Sequence, residues 1–320
     1  MSNINVSKRG HSTALQVQLL REGIPESWHQ VQAVVCDPKG RVLMVAGDSE
    51  SSAFIRSALK PFQALAVTTT GVLQSYNLTD ADLAIMCASH QGTVEQARRA
   101  FNILWHSDID PSALQCPTPE GKRSPLQYNC SGKHAGMLAT CKLRGWPLTN
   151  YTQRKHPVQQ LIAAQVAELL GMPPAELLVA QDDCGAPTYF MQLHQMATLY
   201  AMLASGDRLE LERIVRAMTH HPELVAGEGT FDTEVIRLTA GQVVSKSGAE
   251  GIQCLARVGE GLGIAIKVID GAKRAKYAVA THLLQQLGWV DFTAAETLTE
   301  KFLQLGQTKR LDVSGELVLS

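Results

Sequence analysis

The chain has no excess of positive charge. Its 320 residues carry 29 Lys and Arg against 30 Asp and Glu, a formal charge of -1. No global field is therefore available to hold a polyanion, which argues against nucleic acid as a partner. The dense, paired cysteines of a small secreted domain are missing too. Seven cysteines, an odd number, are scattered from Cys36 to Cys254, and that usage points to a reducing compartment. No run reaches the roughly 18 apolar residues that a membrane span needs. The polar, basic stretch from Met1 to Gly10 is followed by no apolar segment of the kind a secretory leader carries. The expected address is the cytoplasm, with no membrane partner. Internal repeats and low-complexity linkers are also missing.

What is present is ample apolar material. The composition is 45% hydrophobic and 18% charged, with 25 Gly and 13 Pro, which fits a folded globular protein rather than a disordered one. Residues 14 to 22, 31 to 37 and 41 to 46 read as antiparallel strands, with Asp37-Pro38-Lys39-Gly40 as a turn between the last two. From Lys60 onward, Phe62, Leu65, Ala66, Thr69, Val72 and Leu73 recur at helical spacing. Leu83 to Ala88 is a short apolar run, read as a strand that hands over to a loop at Ser89. Val94 to Trp105 reads as a helix, and 107 to 129 as a long irregular segment of the kind that often carries function. Helical patterns dominate from about Lys133 to Leu238, broken by a strand at Leu177 to Gln181 and a glycine-rich turn at Ala226 to Thr230. Strand composition returns at 242 to 246, 251 to 258 and 262 to 269, and helices are expected at 273 to 287 and 294 to 305.

Strands at both ends with helices between them predict a mixed α+β fold. A single antiparallel sheet would be assembled from about 10–50 and 240–320, with the helix-rich part, about 57–238, packed on it. Because such a sheet is non-local in sequence, residues 1–320 are expected to form one interlocked domain.

The chemistry-bearing residues fall into two groups. Ser57-Ala58-Leu59-Lys60 sets a hydroxyl and an amine three residues apart at a helix start, where they share a face. Serine is a weak nucleophile until a base takes its proton, and lysine is that base only when burial or nearby positive charge lowers its pKa. Further on, Lys246-Ser247-Gly248 on a strand resembles the Lys-Thr-Gly element of penicillin-recognising serine enzymes, and Ser89-His90-Gln91 can fill their middle, serine-bearing loop. The second group is Cys130, Lys133 and Cys184, two thiols and an amine able to hold a soft divalent ion, with His134 and Asp182 as additional groups. Buried structural cysteines are the alternative reading.

Longer motifs carry a resemblance to a family. They are Arg56-Ser57-Ala58-Leu59-Lys60-Pro61-Phe62-Gln63, Ala88-Ser89-His90, Asn129 to Leu138, Cys184-Gly185-Ala186-Pro187 and Lys246 to Gly251. The chain resembles the Rhizobium etli type L-asparaginases, or asparaginase II-like proteins, whose fold is similar to that of serine β-lactamases and serine glutaminases. The resemblance implies hydrolysis of L-asparagine to L-aspartate and ammonia through two Ser-Lys pairs, Ser57 with Lys60 and Ser89 with Lys246. It also implies a zinc site at Cys130, Lys133 and Cys184 that assists substrate binding more than chemistry, and a homodimer. One departure stands out: the family usually has Asp-Gly-Cys where this chain has Asp182-Asp183-Cys184.

Charge and proximity to the motifs make Arg56, Asp182 and His134 candidates for contacting an α-amino acid substrate. A serine-dependent glutaminase, a β-lactam-interacting hydrolase and a noncatalytic zinc-binding regulatory protein remain as alternatives. Other features read as structure: His220-His221-Pro222 as a helix end, and Gly259 to Gly263 as a hairpin turn without the Rossmann spacing. Asp232 is left between facing the pocket and capping a helix.

Overall fold

Along a strand successive side chains alternate between faces, and here the two faces enter different cores. In Ile24–Cys36, Val34 and Cys36 join one apolar cluster while Val31, Ala33 and Val35 join another. Val244 and Val243 divide in the same way, as do Ala265 and Ile264. A sheet buried on both faces must be covered on both. The computed structural model, which describes residues 10 to 320, has helices on each side. The N-terminal stretch read above as leaderless falls, except for Gly10, outside the described residues.

The strands are β1 (Leu15–Arg21), β2 (Ile24–Cys36), β3 (Val42–Ala46), β4 (Ser52–Phe54), β5 (Leu178–Gln181), β6 (Pro187–Gln192), β7 (Val243–Ser247), β8 (Ile252–Arg257), β9 (Leu262–Val268), β10 (Lys309–Ser314) and β11 (Val318–Leu319). The main sheet runs β10-β1-β2-β9-β8-β7, with β3 bridging β2 and β11, and its pairings are antiparallel. Both ends of the sequence thus supply it, giving a mixed α+β architecture. The Leu193–Ala204 helix packs on one face, against β9, β2 and β8. Gly263 makes that approach possible, because a Cβ there would collide with Ala197 O and Ala201 N. The other face is covered by the helix Lys273–Gln286, with Phe292–Phe302 packed against that helix. No helix among the described residues is long and apolar enough to cross a membrane.

Three local readings change. The run Leu83 to Ala88 belongs to a helix, Asp80–Met86, rather than a strand. Its start is fixed by a capping box in which Thr79 and Asp82 satisfy each other's backbone N–H groups, a signal that outweighs a short apolar run with no clear period. The expected helix from Lys60 is a broken series, with a 3-10 turn at Arg56–Leu59 and short helices at Lys60–Gln63, Leu65–Thr68 and Val72–Ser75. A second sheet, β4-β6-β5, joins the segment just before Ser57 to the segment around Cys184. Of these three strands the sequence predicts only β5. The turn at residues 37–40, the helix end at His220 and the hairpin at residues 258–261 are present.

Candidate active site

Four segments converge on one cleft. The 3-10 turn after β4 carries Ser57, and the next helix begins with Lys60. The loop leaving Asp80–Met86 carries Ser89, held by its N–H to Val225 O at 2.8 Å. The edge strand β7 carries Lys246. Gly248 lets the end of β7 close onto the Ser57 turn: an added Cβ would stand 2.8 Å from Ile55 O. The resulting cleft has a volume of about 520 Å³, and Ser57 and Ser89 line it.

Both lysines are buried and both meet the same hydroxyl. Lys60 Nζ lies 2.9 Å from Ser89 Oγ, and Lys246 Nζ lies 2.8 Å from it. Lys60 also donates to Ala88 O at 2.7 Å, and Lys246 to Ser247 O at 3.1 Å. Lys60 Nζ is directed to Ala88 O and Ser89 Oγ rather than to Ser57 Oγ, so the pairing expected from spacing within Ser-x-x-Lys is replaced by one through Ser89. The ammonium form of each amine is poorly solvated. Burial brings the Lys60 pKa down to about 7, with Lys246 adding to the effect against the opposing pull of Cys130. Burial lowers that of Lys246 as well, opposed by the Asp232 carboxylate.

Asp232 is the group that sequence left undecided. It is buried at the start of the Phe231–Leu238 helix, lines the cleft, and accepts hydrogen bonds from Ser245 Oγ, the Ser247 N–H and Gln253 Nε2 at 2.7, 2.8 and 3.0 Å. It therefore fixes β7 on either side of Lys246. His90 is held neutral: burial first, then Lys60, depress its pKa to about 3, its Nδ1 accepts from the Gly92 N–H, and its Nε2 lies 2.9 Å from Ser131 Oγ.

Behind the cleft wall lies the thiol group. Cys130, His134 and Cys184 each place one ligand atom within 4.8 Å of the others, all buried. His134 was expected to touch substrate. Instead it is fully buried in the Ser131–Leu143 helix, with Nδ1 2.7 Å from Tyr151 OH and Nε2 lacking a hydrogen-bond partner. An unpartnered imidazole nitrogen beside two thiols fits a metal ion. Lys133 donates to Cys184 Sγ at 3.1 Å. A hydrogen bond from Cys130, followed by the Lys133 charge, holds the Cys184 thiol far below its usual range, while burial pushes Cys130 well above it. Burial works against the Lys133 ammonium, yet the two sulfurs outweigh it and raise its pKa. Lys133 Nζ therefore stands at the same sulfur, and His134 joins Cys130 and Cys184 as a group that could hold an ion.

Arg56 and Asp182 meet each other rather than the cleft. Arg56 Nε donates to Asp182 Oδ1 at 2.9 Å and Arg56 Nη2 to Asp183 Oδ2 at 2.6 Å. The extra carboxylate of Asp183 is 80% exposed and pairs with Arg56, so it leaves the thiols alone.

A family described as L-asparaginase II matches residues 17–319. Among solved structures, Mglu in its native form aligns with a TM-score of 0.48 at 17% identity, over 81% of this chain and 61% of that one. This chain therefore spans about three fifths of Mglu's length. A β-lactamase from Mycobacterium bovis aligns with a TM-score of 0.40 at 12% identity, over 82% of this chain and 95% of that one. EstCE1, a hydrolase with promiscuous acyltransferase activity, aligns with a TM-score of 0.39 at 9% identity, over 76% and 90%. Comparison with curated proteins gives no match.

Proposed function

The chain belongs to the L-asparaginase II family, and on that premise we propose that it hydrolyses the side-chain amide of L-asparagine to L-aspartate and ammonia. The observation that carries the reading is the convergence of Lys60 and Lys246 on Ser89 Oγ beside Ser57 in one cleft. Ser57 Oγ attacks the amide carbon and its proton passes by way of Ser89 Oγ to Lys60, whose lowered pKa keeps much of it neutral near pH 7. Ser89 Oγ then relays a proton to the departing nitrogen and is resupplied by the lysine ammonium groups on either side. Ammonia leaves, and water attacks the acyl ester with the amines returning as base. Aspartate and free Ser57 result, and the water consumed balances the ammonia released.

Zinc is the proposed ion, held by Cys130, His134 and Cys184 with Lys133 beside them. When bound it supplies positive charge that neutralises the thiolates and fixes the loop around Asn129, which lines the cleft. All seven cysteines are unpaired, which supports the cytoplasm as the compartment. The family likeness supports a homodimer, to be tested by sedimentation.

Ammonia release from L-asparagine, L-glutamine and no substrate, run beside hydrolysis of a chromogenic β-lactam, tests the function. Turnover of asparagine above glutamine is expected. Activity on the β-lactam alone overturns the proposal.

A further inference from the structure

An α-amino acid amide brings a carboxylate into the cleft, and the structure leaves open what meets it. Arg56 is committed to Asp182 and Asp183. Among the described residues, the charged side chains lining the cleft are Asp232, Glu250, Lys273 and Lys276. Asp232 and Glu250 have the wrong sign for a carboxylate, and Lys273 is exposed at the rim.

Lys276 differs from Lys273 in every relevant respect. It sits one turn into the Lys273–Gln286 helix and is 3% exposed. Its ammonium is gripped by two backbone carbonyls, Gly248 O of the turn after β7 at 2.6 Å and Ile252 O at the start of β8 at 3.1 Å, and it stands 5.1 Å from the Tyr277 ring centroid. An ammonium has three donors. Two are occupied, and the third is available on a group whose position is already fixed. That pre-organisation is what a specificity contact needs, because little further ordering is required when the ligand arrives. A buried cation in a cleft also favours an anion over a neutral group.

We propose that Lys276 is the specificity-determining residue for the substrate's α-carboxylate, which its third N–H binds while the side-chain amide lies against Ser57. This rests on the amidohydrolase reading above. The groups facing Lys276 are Asp232, Lys246, Lys273, Cys254 and Tyr277. Burial lowers its pKa to about 8, and a bound carboxylate would favour the charged form.

The test compares L-asparagine with 3-aminopropanamide, the same molecule without its carboxylate. Both are titrated calorimetrically into a Ser57→Ala background with Lys276 intact, with Lys276→Gln and with Lys276→Arg. Lys276→Gln should weaken asparagine about tenfold or more while leaving the analogue within about twofold. Lys276→Arg should keep most of the affinity for asparagine. Equal losses for both ligands would show a purely structural role, and unchanged asparagine affinity would show no contact; either result overturns the proposal. If Lys276→Gln fails to fold, the arginine variant and the ligand comparison decide: an intact-Lys276 protein that binds both ligands equally well refutes it. Wild-type protein that releases no ammonia from asparagine removes the amidohydrolase reading, and the proposal with it.

Discussion

Ser89 is the residue on which the two amines meet, and its position changes what each serine is expected to do. With Lys60 and Lys246 at 2.9 and 2.8 Å from its Oγ, Ser89 is the proton relay of the proposed mechanism. Ser57, at the cleft surface and free of that grip, is the nucleophile of the proposed mechanism. Ser57→Ala should reduce ammonia release by about a thousandfold or more, and Ser89→Ala by roughly a hundredfold, as for loss of general acid-base help. The pH dependence has a definite sign. Burial lowers the Lys60 pKa to about 7, and the neutral amine is the base, so kcat/KM should rise with pH through about 7 and level off above it. A profile that falls across that range would exclude Lys60 as base. At the thiol group, Cys184→Ser and His134→Ala should each abolish stoichiometric zinc after chelation and reconstitution, measured by elemental analysis.

Elements bring these residues together through close approaches that few side chains tolerate. The Leu193–Ala204 helix rests on β9 at Gly263, and Gly263→Ala should destabilise the protein by roughly 1–3 kcal/mol, read as a lower urea midpoint with an unchanged slope. How much of this was legible in sequence depends on the kind of signal. Strands β1, β3, β7, β8 and β9, the second half of β2 and the turn at Asp37-Pro38-Lys39-Gly40 follow from local apolar runs and turn chemistry, whereas β10, β11 and the start of β2 carry no such signal. The Asp80–Met86 helix did not, because its apolar run is too short to show a period and its cap lies upstream at Thr79. Strand β4 was also hidden, because its pairing with β6 spans more than a hundred residues and nothing in Ser52–Phe54 announces its partner, while β6 pairs locally with β5 and was missed inside a segment read as helical. The same limit applies to the site. Motif spacing named Ser57, Lys60, Ser89 and Lys246, but that Lys60 turns to Ser89, that Arg56 is tied to Asp182, and that His134 faces the thiols are consequences of long-range packing. Asp232 had only its place after a glycine-rich turn as a signal, and Lys276 had none.

At the scale of the molecule, the sheet joins the two ends of the sequence: β1 pairs with β10, and β3 with β11. The two cores share that sheet, so one cooperative domain rather than separable halves is expected. Tryptophan fluorescence and far-ultraviolet circular dichroism should trace the same urea transition, and helix lost well before the sheet would argue for two units. Removing residues 309–320 should lower the melting temperature markedly by exposing the edges of β1 and β3. The arrangement brings an edge strand and a helical turn far apart in sequence onto a single hydroxyl beside Ser57, the proposed nucleophile. Acid quenching during turnover of L-asparagine, followed by peptide mass mapping, tests this most directly. An aspartyl ester on the peptide that carries Ser57 is the predicted result. An ester on the Ser89 peptide, or asparagine hydrolysis by Ser57→Ala at the wild-type rate, would contradict it.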